Sequence, residues 1–296
     1  MDFLTTTLGL LFTITLIYSL QLLSTRGKKL PPGPTPLPII GNLLLLGDQP
    51  HKSLAELAKI YGPLMSLRLG QRSTVVISSS AMAKEVLQKQ DLAFSSRNIQ
   101  DSFHAKNHFK YSVVLLPVAS RWRSLRKIMN LNIFSGTRLD AKQELRCRKV
   151  QELVDYCRES SQSGVAVDVG RAAFMTTLNL LSNTIFSRDL TDRFSDSAKE
   201  FKDMVRDIMT EHGKPNLADY FPLLNKVDPQ GIRRRTTVHL GKLIELFSGL
   251  ISERLEKRNS TDDEDNDVLD ALLRASQESP EEIDRTHIEH LFLVST

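Results

Sequence analysis

The first segment of the chain constrains its fold more than any other feature. Residues 3–23 carry no charge and are largely apolar. A run of about 20 such residues can cross a bilayer as one helix, and a helix satisfies its own backbone in lipid. Arg26, Lys28 and Lys29 follow, and positive charges beside a span stay on the cytoplasmic side. We therefore predict a single-pass transmembrane anchor over residues 3–23, with the body of the protein on the cytosolic side.

The residues after this anchor form a basic and proline-rich hinge over residues 24–41. Pro31, Pro32 and Pro34 stand in it, and proline cannot continue a helix. A proline-rich segment is stiff and extended. We expect the hinge to hold the body at a fixed stance against the membrane.

A cleaved secretory signal is the alternative interpretation of the first segment. Signal peptides carry positive charge before an apolar stretch of roughly 7–15 residues, and a small-residue cleavage site follows it. Here Asp2 comes before the run, the positive charges come after it, and no such site stands out. Threonines such as Thr13 lower the hydropathy, but their hydroxyls can bond back to the helix backbone and do not prevent a span. The pattern favours the anchor.

The composition excludes several classes of protein. The chain has 39 lysines and arginines against 35 acidic residues, a net charge of +4, which is too mild to imply nucleic-acid binding. It has no tract of interleaved aromatic and basic residues of the kind that stacks bases, so we expect no nucleic-acid partner. Its two cysteines cannot form a disulfide framework and fit a reducing cytosol. The residues beyond the anchor suffice for one large domain or two small ones.

Periodicity predicts a mainly α fold with a small β-hairpin. The tetrapeptide Gly70-Gln71-Arg72-Ser73 separates two β-rich runs, which is typical of a hairpin. Residues 94–119 show no clean period, and we expect a long loop with one helical turn, since long ordered loops are often functional. The other early elements are a predicted helix from His51 to Tyr61, strands from Leu64 to Leu69 and from Thr74 to Ser78, and a helix from Ser80 to Gln90 with Ser79 or Ser80 as its N-cap.

The chain beyond Ser120 is predicted to be strongly helical. Apolar residues recur there in steps of three and four, as on amphipathic helices. A short strand is predicted from Val165 to Val169, a solvated acidic linker from Thr261 to Asp267, and a last helix that starts near Ile283. The three apolar stripes are Cys147, Val150, Val154 and Cys157, then Phe174, Leu178, Leu181 and Ile185, then Leu240, Leu243, Ile244, Phe247, Leu250 and Ile251.

The pair Trp122 and Arg126 is the sharpest local signal. Residues four apart share one helix face, which places an indole N–H beside a guanidinium. Both groups only donate hydrogen bonds, and the guanidinium fork matches a carboxylate. The pair suits a carboxylate-bearing ligand. On this spacing alone, a surface helix with a half-buried tryptophan and solvated arginines is the favoured interpretation.

Several short motifs follow the apolar anchor in order, and their order changes the interpretation of this pair. The motifs are Pro31-Pro32-Gly33-Pro34, Pro38-Ile39-Ile40-Gly41-Asn42, Tyr61-Gly62-Pro63-Leu64, Phe94-Ser95-Ser96-Arg97 and Trp122-x-x-x-Arg126. With the anchor, they resemble the amino-terminal part of the microsomal cytochrome P450 haem-thiolate monooxygenases. The resemblance runs from the anchor to about Leu293, and it implies a partial monooxygenase domain over residues 42–296. Asn216 to Pro222 and Val227 to Arg234 look like the plant subgroup of terpenoid and alkaloid hydroxylases of the geraniol 8-hydroxylase type.

The resemblance implies a function and roles for individual residues. The function is NADPH- and O₂-dependent hydroxylation of a small hydrophobic substrate of the monoterpenoid kind, at the endoplasmic reticulum membrane, with NADPH-cytochrome P450 reductase as partner. Trp122 and Arg126 would bond a propionate of the haem cofactor. For the residues that follow, core packing or a plain solvated face stays an open alternative. The substrate pocket would include Phe103, Leu115, Leu116, Val118, Met209 and His212, and the reductase would meet Arg121, Arg123 and Lys127.

The family's haem-ligating cysteine is not recognisable in this chain. The family places it in a loop of type F-x-x-G-x-R-x-C, which neither Cys147 nor Cys157 matches. We expect both on the apolar face of one helix, where cysteine packs as a small hydrophobe. The oxygen-activating A-G-x-D-T motif is not reached before Thr296. His287 and His290 are three apart on a helix but have no partner cluster, so we assign no catalytic residue and no metal site.

Three hypotheses about function follow. The chain represents the monooxygenase with its sequence cut short, or it is a non-catalytic membrane-bound remnant that docks partners, or, more remotely, it is a membrane scaffold without haem relatives. Without the family's remaining helices, we expect apolar surface to face water. We also expect the hairpin to keep an unpaired edge.

Overall fold

The computed structural model describes Thr7, Gly9, Phe12 and Thr13, and then residues 30–191, 197–260 and 267–295. Most of the predicted anchor, the basic cluster of the hinge and residues 261–266 of the predicted acidic linker lie outside these residues. Thr13 Oγ1 donates a hydrogen bond of 3.0 Å to the Gly9 carbonyl, the backbone bond that we expect of threonine here. Within the described ranges, no helix combines the length and the apolarity that a bilayer crossing needs.

The described part of the chain is mainly helical with one small antiparallel sheet, as predicted. Contacts divide it into two bodies: residues 1–95 with 216–230, and residues 96–215 with 231–296. The strands are β1 (Leu64–Leu69) and β2 (Arg72–Ile77). The described helices are α1 (Pro50–Tyr61), α2 (Ser80–Lys84), α3 (Ser120–Met129), α4 (Gly136–Ala141), α5 (Gln143–Gln162), α6 (Val169–Phe186), α7 (Ser197–Gly213), α8 (Leu217–Tyr220), α9 (Ile232–Ser260), α10 (Val268–Glu278) and α11 (Arg285–Ser295), with 3-10 turns at Leu43–Leu45, Asp101–Lys110 and Pro222–Lys226 and π turns at Glu85–Lys89 and Asn130–Phe134.

The hairpin of the first body is tighter than predicted. The ladder runs from the pair Leu64 and Ile77 to the pair Leu69 and Arg72. Only Gly70 and Gln71 remain in the turn, because Arg72 and Ser73 continue the strand. Gly70 has a φ of +58°, which suits the first position of a two-residue hairpin turn.

The free edge that we expect on the hairpin is partly covered, so that expectation is wrong for β1. The Ser66 N–H donates to the Pro32 carbonyl at 2.9 Å, and the Arg68 N–H donates to Asn42 Oδ1 at 2.8 Å. The proline-rich residues therefore lie along this strand. Gly33 is required there, since a Cβ on it would stand 1.9 Å from the Ser66 carbonyl oxygen.

Local capping confirms one predicted helix start and shortens the helix behind it. The Ser79 side chain accepts a hydrogen bond of 3.3 Å from the Met82 N–H, so Ser79 is the N-cap of α2. The predicted helix that extends to Gln90 is wrong in part, because α2 ends at Lys84 and passes into the π turn Glu85–Lys89.

The core of the second body is built on the apolar face of α9, as its stripe predicts. Leu243, Phe247 and Ile251 are almost fully buried. The Phe247 ring lies 6.0 Å from Phe186 of α6 and 5.7 Å from Phe292 of α11, centroid to centroid. This aromatic cluster joins three helices. On α6, the stripe residues Phe174, Leu178 and Ile185 also face the core, whereas the fourth predicted member, Leu181, is exposed.

The stripe on α5 is not buried, so that prediction is wrong. Cys147 and Cys157 are exposed, and so are Val150 and Val154. The helix packs on α6 through a different side, where Lys149 is buried and its ammonium lies 2.7 Å from Asp189 Oδ2. The ion pair between Lys149 and Asp189 lies on the buried side of α5, and no described element covers its apolar stripe.

Two further predictions are corrected by aspartates that act as helix caps. The predicted strand from Val165 to Val169 is absent, because Asp168 accepts the Arg171 N–H at 3.0 Å and begins α6. Asp267, predicted to be solvated, is buried and caps α10. The Arg254 guanidinium donates hydrogen bonds of 3.0 and 2.8 Å to the two carboxylate oxygens of Asp267.

Candidate functional site

The indole of Trp122 holds the segment before α3. Trp122, Leu125 and Met129 share the face of α3 that packs on the core, because their spacing follows the helical period. The indole Nε1 donates a hydrogen bond of 3.0 Å to the Val113 carbonyl. The donor that we predict for a ligand carboxylate is thus engaged within the protein.

The exposed surface of α3 is strongly basic. The guanidinium of Arg126 makes no hydrogen bond or ion pair with any described residue. A free guanidinium fork is the group that binds a carboxylate with two parallel hydrogen bonds. Arg121, Arg123 and Lys127 are likewise exposed.

An apolar cavity of about 340 Å³ lies in the second body, between residues 101–116, α7, α9 and α11. It falls in the size range of small-molecule sites, roughly 300–1,000 Å³. Four of the predicted pocket residues line it: Phe103, Leu115, Met209 and His212. Leu116 instead packs against the core, and Val118 is not part of the lining. The residues that line it without being predicted are His108, Ser112, Val114, Val205, Ile208, Leu240, Leu243 and Leu293.

Residues 101–116, hereafter the wall segment, form one side of this cavity. The sequence predicts a loop with one helical turn, whereas the structure has a longer 3-10 segment, Asp101–Lys110. It is interrupted where Lys106 and Asn107 adopt left-handed φ angles of 50° and 56°. The break divides the segment into two turns, so that Phe103 and His108 both reach the cavity.

Two long-range contacts fix the wall segment to its neighbours in the second body. The buried carboxylate of Asp101 pairs with Arg233 of α9 at 2.9 Å. His108 Nδ1 and His290 Nδ1 of α11 form a buried hydrogen bond of 2.8 Å. With the bond from Trp122, the wall segment is tied at its start, middle and end.

Burial keeps the two bonded histidines neutral. Desolvation, aided by the neighbouring His290 and His212, lowers the pKa of His108 to about 3. Desolvation is also the main cause that lowers the pKa of His290 to about 4. In neutral imidazoles one ring nitrogen donates and the other accepts, so the pair can form one hydrogen bond without repulsion. Tyr111 stacks on His290 with centroids 5.0 Å apart.

The roof of the cavity is fixed by an ion pair at the end of α7. The buried carboxylate of Glu211 forms ion pairs with Arg235 of α9 at 2.8 Å and with Lys214 at 2.5 Å. The hydrogen bond from Arg235 is the main cause that lowers the pKa of the Glu211 carboxyl to about 2. The adjacent His212 ring packs on Phe103 with centroids 4.3 Å apart, and burial lowers its pKa.

Part of this lining could have been found from the sequence. Val205 and Ile208 belong to the same face of α7 as Met209 and His212, at helical spacing, so the two predicted roof residues point to the other two. No local pattern joins His108 to His290, which stand 182 residues apart. Within the described ranges, no group of three or more histidines, cysteines and carboxylates is arranged to hold a metal ion.

A mainly helical body with an apolar cavity behind an irregular segment is the kind of structure in which small-molecule sites are found. Comparison with known proteins defines the class of protein. The sequence model of the cytochrome P450 family matches residues 31–294, and the chain belongs to this family.

The chain is also similar to several plant enzymes. It is 70% identical to geraniol 8-hydroxylase of Catharanthus roseus over 293 residues, which are 99% of the chain and 59% of that protein. It is 68% identical to geraniol 8-hydroxylase of Swertia mussotii over 292 residues, with the same coverage of 99% and 59%. It is 60% identical to lauric acid 10-hydroxylase of Petunia hybrida over 281 residues, 94% of the chain and 49% of that relative. The chain therefore spans about 59% of the length of the first two relatives.

Proposed function

We propose that this chain is the amino-terminal part of a cytochrome P450 monooxygenase that hydroxylates a small hydrophobic substrate of the monoterpenoid class. The observation that carries the proposal is the cavity of about 340 Å³ lined by Phe103, Leu115, Met209 and His212. It is lined mainly by apolar side chains, and its volume suits such a molecule. The names of the two relatives that are 70% and 68% identical support the choice of substrate class.

Haem is the cofactor of this family, and when bound it supplies the oxidising chemistry. Arg126 fits the role of holding a haem propionate, since its guanidinium is exposed and has no partner among the described residues. Trp122 can join it only by giving up the Val113 carbonyl, which it bonds at 3.0 Å. We assign the main propionate contact to Arg126. A contact from Trp122 to the propionate would compete with its hydrogen bond to Val113 in the wall segment.

Neither cysteine fits the role of the iron ligand. Cys147 and Cys157 are exposed on α5, a regular helix, whereas the family's ligand stands in a glycine-containing loop. We assign the thiolate to the part of the relatives that this chain does not span. The alternative hypothesis is a non-catalytic membrane-bound remnant. Transcript sequence beyond the Thr296 codon would separate the two, because a continuation into the cysteine loop supports the enzyme.

We place the protein at the endoplasmic reticulum membrane, with its body on the cytosolic side. The charge-free residues 3–23 and the positive charges after them support this location. The exposed Arg121, Arg123 and Lys127 would meet an acidic NADPH-cytochrome P450 reductase, since exposed positive charges steer such encounters.

The test of the proposed function is a chimera in which residues 1–296 are joined to the remaining part of the Catharanthus roseus relative. In microsomes with a plant reductase, it should convert geraniol to a hydroxylated product and show the thiolate-type band in the reduced carbon-monoxide difference spectrum. A second chimera carries Met209→Trp on the cavity roof. This variant should reduce geraniol turnover and leave the spectral band in place. A normal band without any geraniol product would overturn the assigned substrate class.

A further inference from the structure

Helix α5 exposes an apolar stripe whose spacing is the same in both chain directions. Its members are Cys147, Val150, Val154 and Cys157, which follow one another in steps of three, four and three residues. At 3.6 residues per turn they lie within about 80° of one another around the helix. All four side chains are exposed, whereas Lys149, on the opposite side of the helix, is buried. The stripe therefore faces away from the side of α5 that packs on α6.

A stripe with this symmetry can pack against a second copy of itself. Oligomers of identical chains are most commonly two-fold symmetric, and both copies then use the same patch. When two α5 helices lie antiparallel about an axis at residue 152, Cys147 of one copy comes level with Cys157 of the other, and Val150 comes level with Val154. Each apolar side chain of the stripe then has an apolar neighbour on the second copy.

The charges beside the stripe are complementary in this antiparallel arrangement. Glu144 and Arg158 flank the stripe on the same side, about 40° apart around the helix. With the axis at residue 152, Glu144 of one copy lies within about 3 Å of the level of Arg158 of the other, because each residue rises 1.5 Å along the helix. In a parallel pair the same two charges would stand about 21 Å apart along the axis. Charge complementarity therefore favours the antiparallel arrangement.

Both charged side chains are available for such a contact. Glu144 is exposed and makes no hydrogen bond or ion pair within the part of the chain that the structure describes. Arg158 is 60% exposed at its side chain and pairs with Asp155 at 2.6 Å. An exposed ion pair of this kind contributes little to stability, so Arg158 can exchange Asp155 for a carboxylate of a second copy at little cost.

We propose that α5 is the contact surface of a homodimer, in which the two stripes pack antiparallel about a two-fold axis at residue 152 and Glu144 of each copy pairs with Arg158 of the other. One pair of helices buries less than the roughly 1,200 Å² of a standard interface, so the association is weak. Thiols stay reduced in the cytosol, and the two cysteines act as apolar contacts. The inference does not depend on the proposed substrate, because the cavity lies against α7, α9 and α11.

Disulfide trapping of the full chain tests this arrangement. The protein is kept in a large excess of detergent micelles, so that the predicted anchor does not bring two copies together, and is oxidised with diamide. Each disulfide forms from two thiols, whose hydrogens pass to diamide and reduce it to its hydrazine. Because a disulfide needs Cα atoms within about 7 Å of each other, only closely facing cysteines react efficiently. We expect a covalent dimer on non-reducing gels, in which peptide mapping finds Cys147 linked to Cys157.

Two cysteine variants test the direction of packing. Cys147→Ser and Cys157→Ser should each lose the covalent dimer, because the remaining cysteine faces the substituted position of the second copy. An equal mixture of the two variants should regain it, since one intact cysteine of each kind then meets the other. A covalent dimer from either variant alone, or a link between Cys147 and Cys147, would overturn the antiparallel arrangement.

A charge exchange tests the flanking pairs. Glu144→Arg and Arg158→Glu should each lower the yield of covalent dimer about fivefold, the effect expected for two exposed ion pairs. The double variant Glu144→Arg, Arg158→Glu should restore the yield. The matched control is Glu159→Arg, an exposed position of α5 that lies about 160° around the helix from the stripe, and it should leave the yield unchanged. Single variants without effect, or a double variant that fails to restore the yield, would overturn the pairing of Glu144 with Arg158.

The substituted side chains are exposed on a regular helix, so circular dichroism should be the same for all variants. Absence of a covalent dimer from the unmodified chain would overturn the homodimer altogether. That result would leave the proposed function standing, since geraniol turnover by the chimera tests it separately.

Discussion

Helices α5 and α9 carry apolar stripes of the same spacing, yet only one of them is covered. On α9, Leu243 and Phe247 are 2% and 0% exposed, whereas Val150 and Val154 on α5 are 55% and 43% exposed. The helix α9 contacts the wall segment, α7 and α11, while α5 contacts α4 and α6. The period of a sequence indicates that a helix has an apolar face. It does not indicate which element, if any, lies against that face.

The largest expected effect comes from the covered stripe. Phe247→Ala removes the ring that packs between Phe186 and Phe292, and it should lower the free energy of unfolding by about 4 kcal/mol, since deletion of a buried aromatic ring leaves a cavity. Urea unfolding followed by circular dichroism measures the change. The matched variant Val154→Ala on α5 should cost less than about 0.5 kcal/mol. Similar losses in the free energy of unfolding for the two variants would contradict the difference in burial between α9 and α5.

A slightly smaller effect is expected from charge pairs on the same two helices. Arg254→Met on α9 leaves Asp267 and Asp270 buried without their cation, and it should cost about 3 kcal/mol. Both carboxylates lie within 3.0 Å of the guanidinium. On α5, Arg158→Met removes an exposed pair with Asp155 and should cost less than about 1 kcal/mol. Equal costs in urea unfolding would show that burial does not distinguish the pairs.

The third effect, which over a single pH unit is smaller than the two above, is a pH dependence of the buried histidine pair in the second body. His108 and His290 have pKa values of about 3 and 4 in the folded chain, below the ordinary value of about 6.5. Between these limits the unfolded state binds more protons, so stability should fall as the pH falls from about 6.5 to about 4. The loss approaches about 1.4 kcal/mol per pH unit for each histidine.

Several charged or titratable groups lie around His108 and His290, and they bear on the choice of control variant. Glu289 and Asp284 favour the protonated form of His290, whereas His287 opposes it, and His212 opposes protonation of His108. The double variant His108→Gln, His290→Gln should reduce the slope of stability against pH between 6.5 and 4, and the slope that is left includes His212, whose pKa burial also lowers. His104→Gln, at an exposed site of the wall segment, should not reduce the slope. An unchanged slope in the double variant would rule out this pair as the source.

Some elements follow from local sequence alone. The run from Leu64 to Leu69 is a strand with the predicted bounds, and Ser79 is the cap that its position suggests, because alternation and capping are decided within a few residues. The predicted pocket residues Phe103, Leu115, Met209 and His212 meet at one cavity. That prediction came from the family resemblance, not from a local pattern.

Other features depend on contacts that no local pattern contains. The sequence predicts Asp267 to be part of a solvated acidic tract. The residue is buried instead, because its carboxylate pairs with Arg254, thirteen residues earlier. Val165 to Val169 has strand-forming residues and no described neighbour to pair with, so the Asp168 cap decides its structure. The bond between His108 and His290 exists only because the wall segment folds against α11.

The central claim is that the cavity, and not the exposed stripe on α5, receives the ligand of this cytochrome P450 chain. Hydrogen exchange measured by mass spectrometry on the full chain, with and without geraniol, tests it most directly. We predict slower exchange in residues 101–116 and 205–213 and unchanged exchange in residues 143–162. Unchanged exchange at the cavity, or protection confined to α5, would contradict the account.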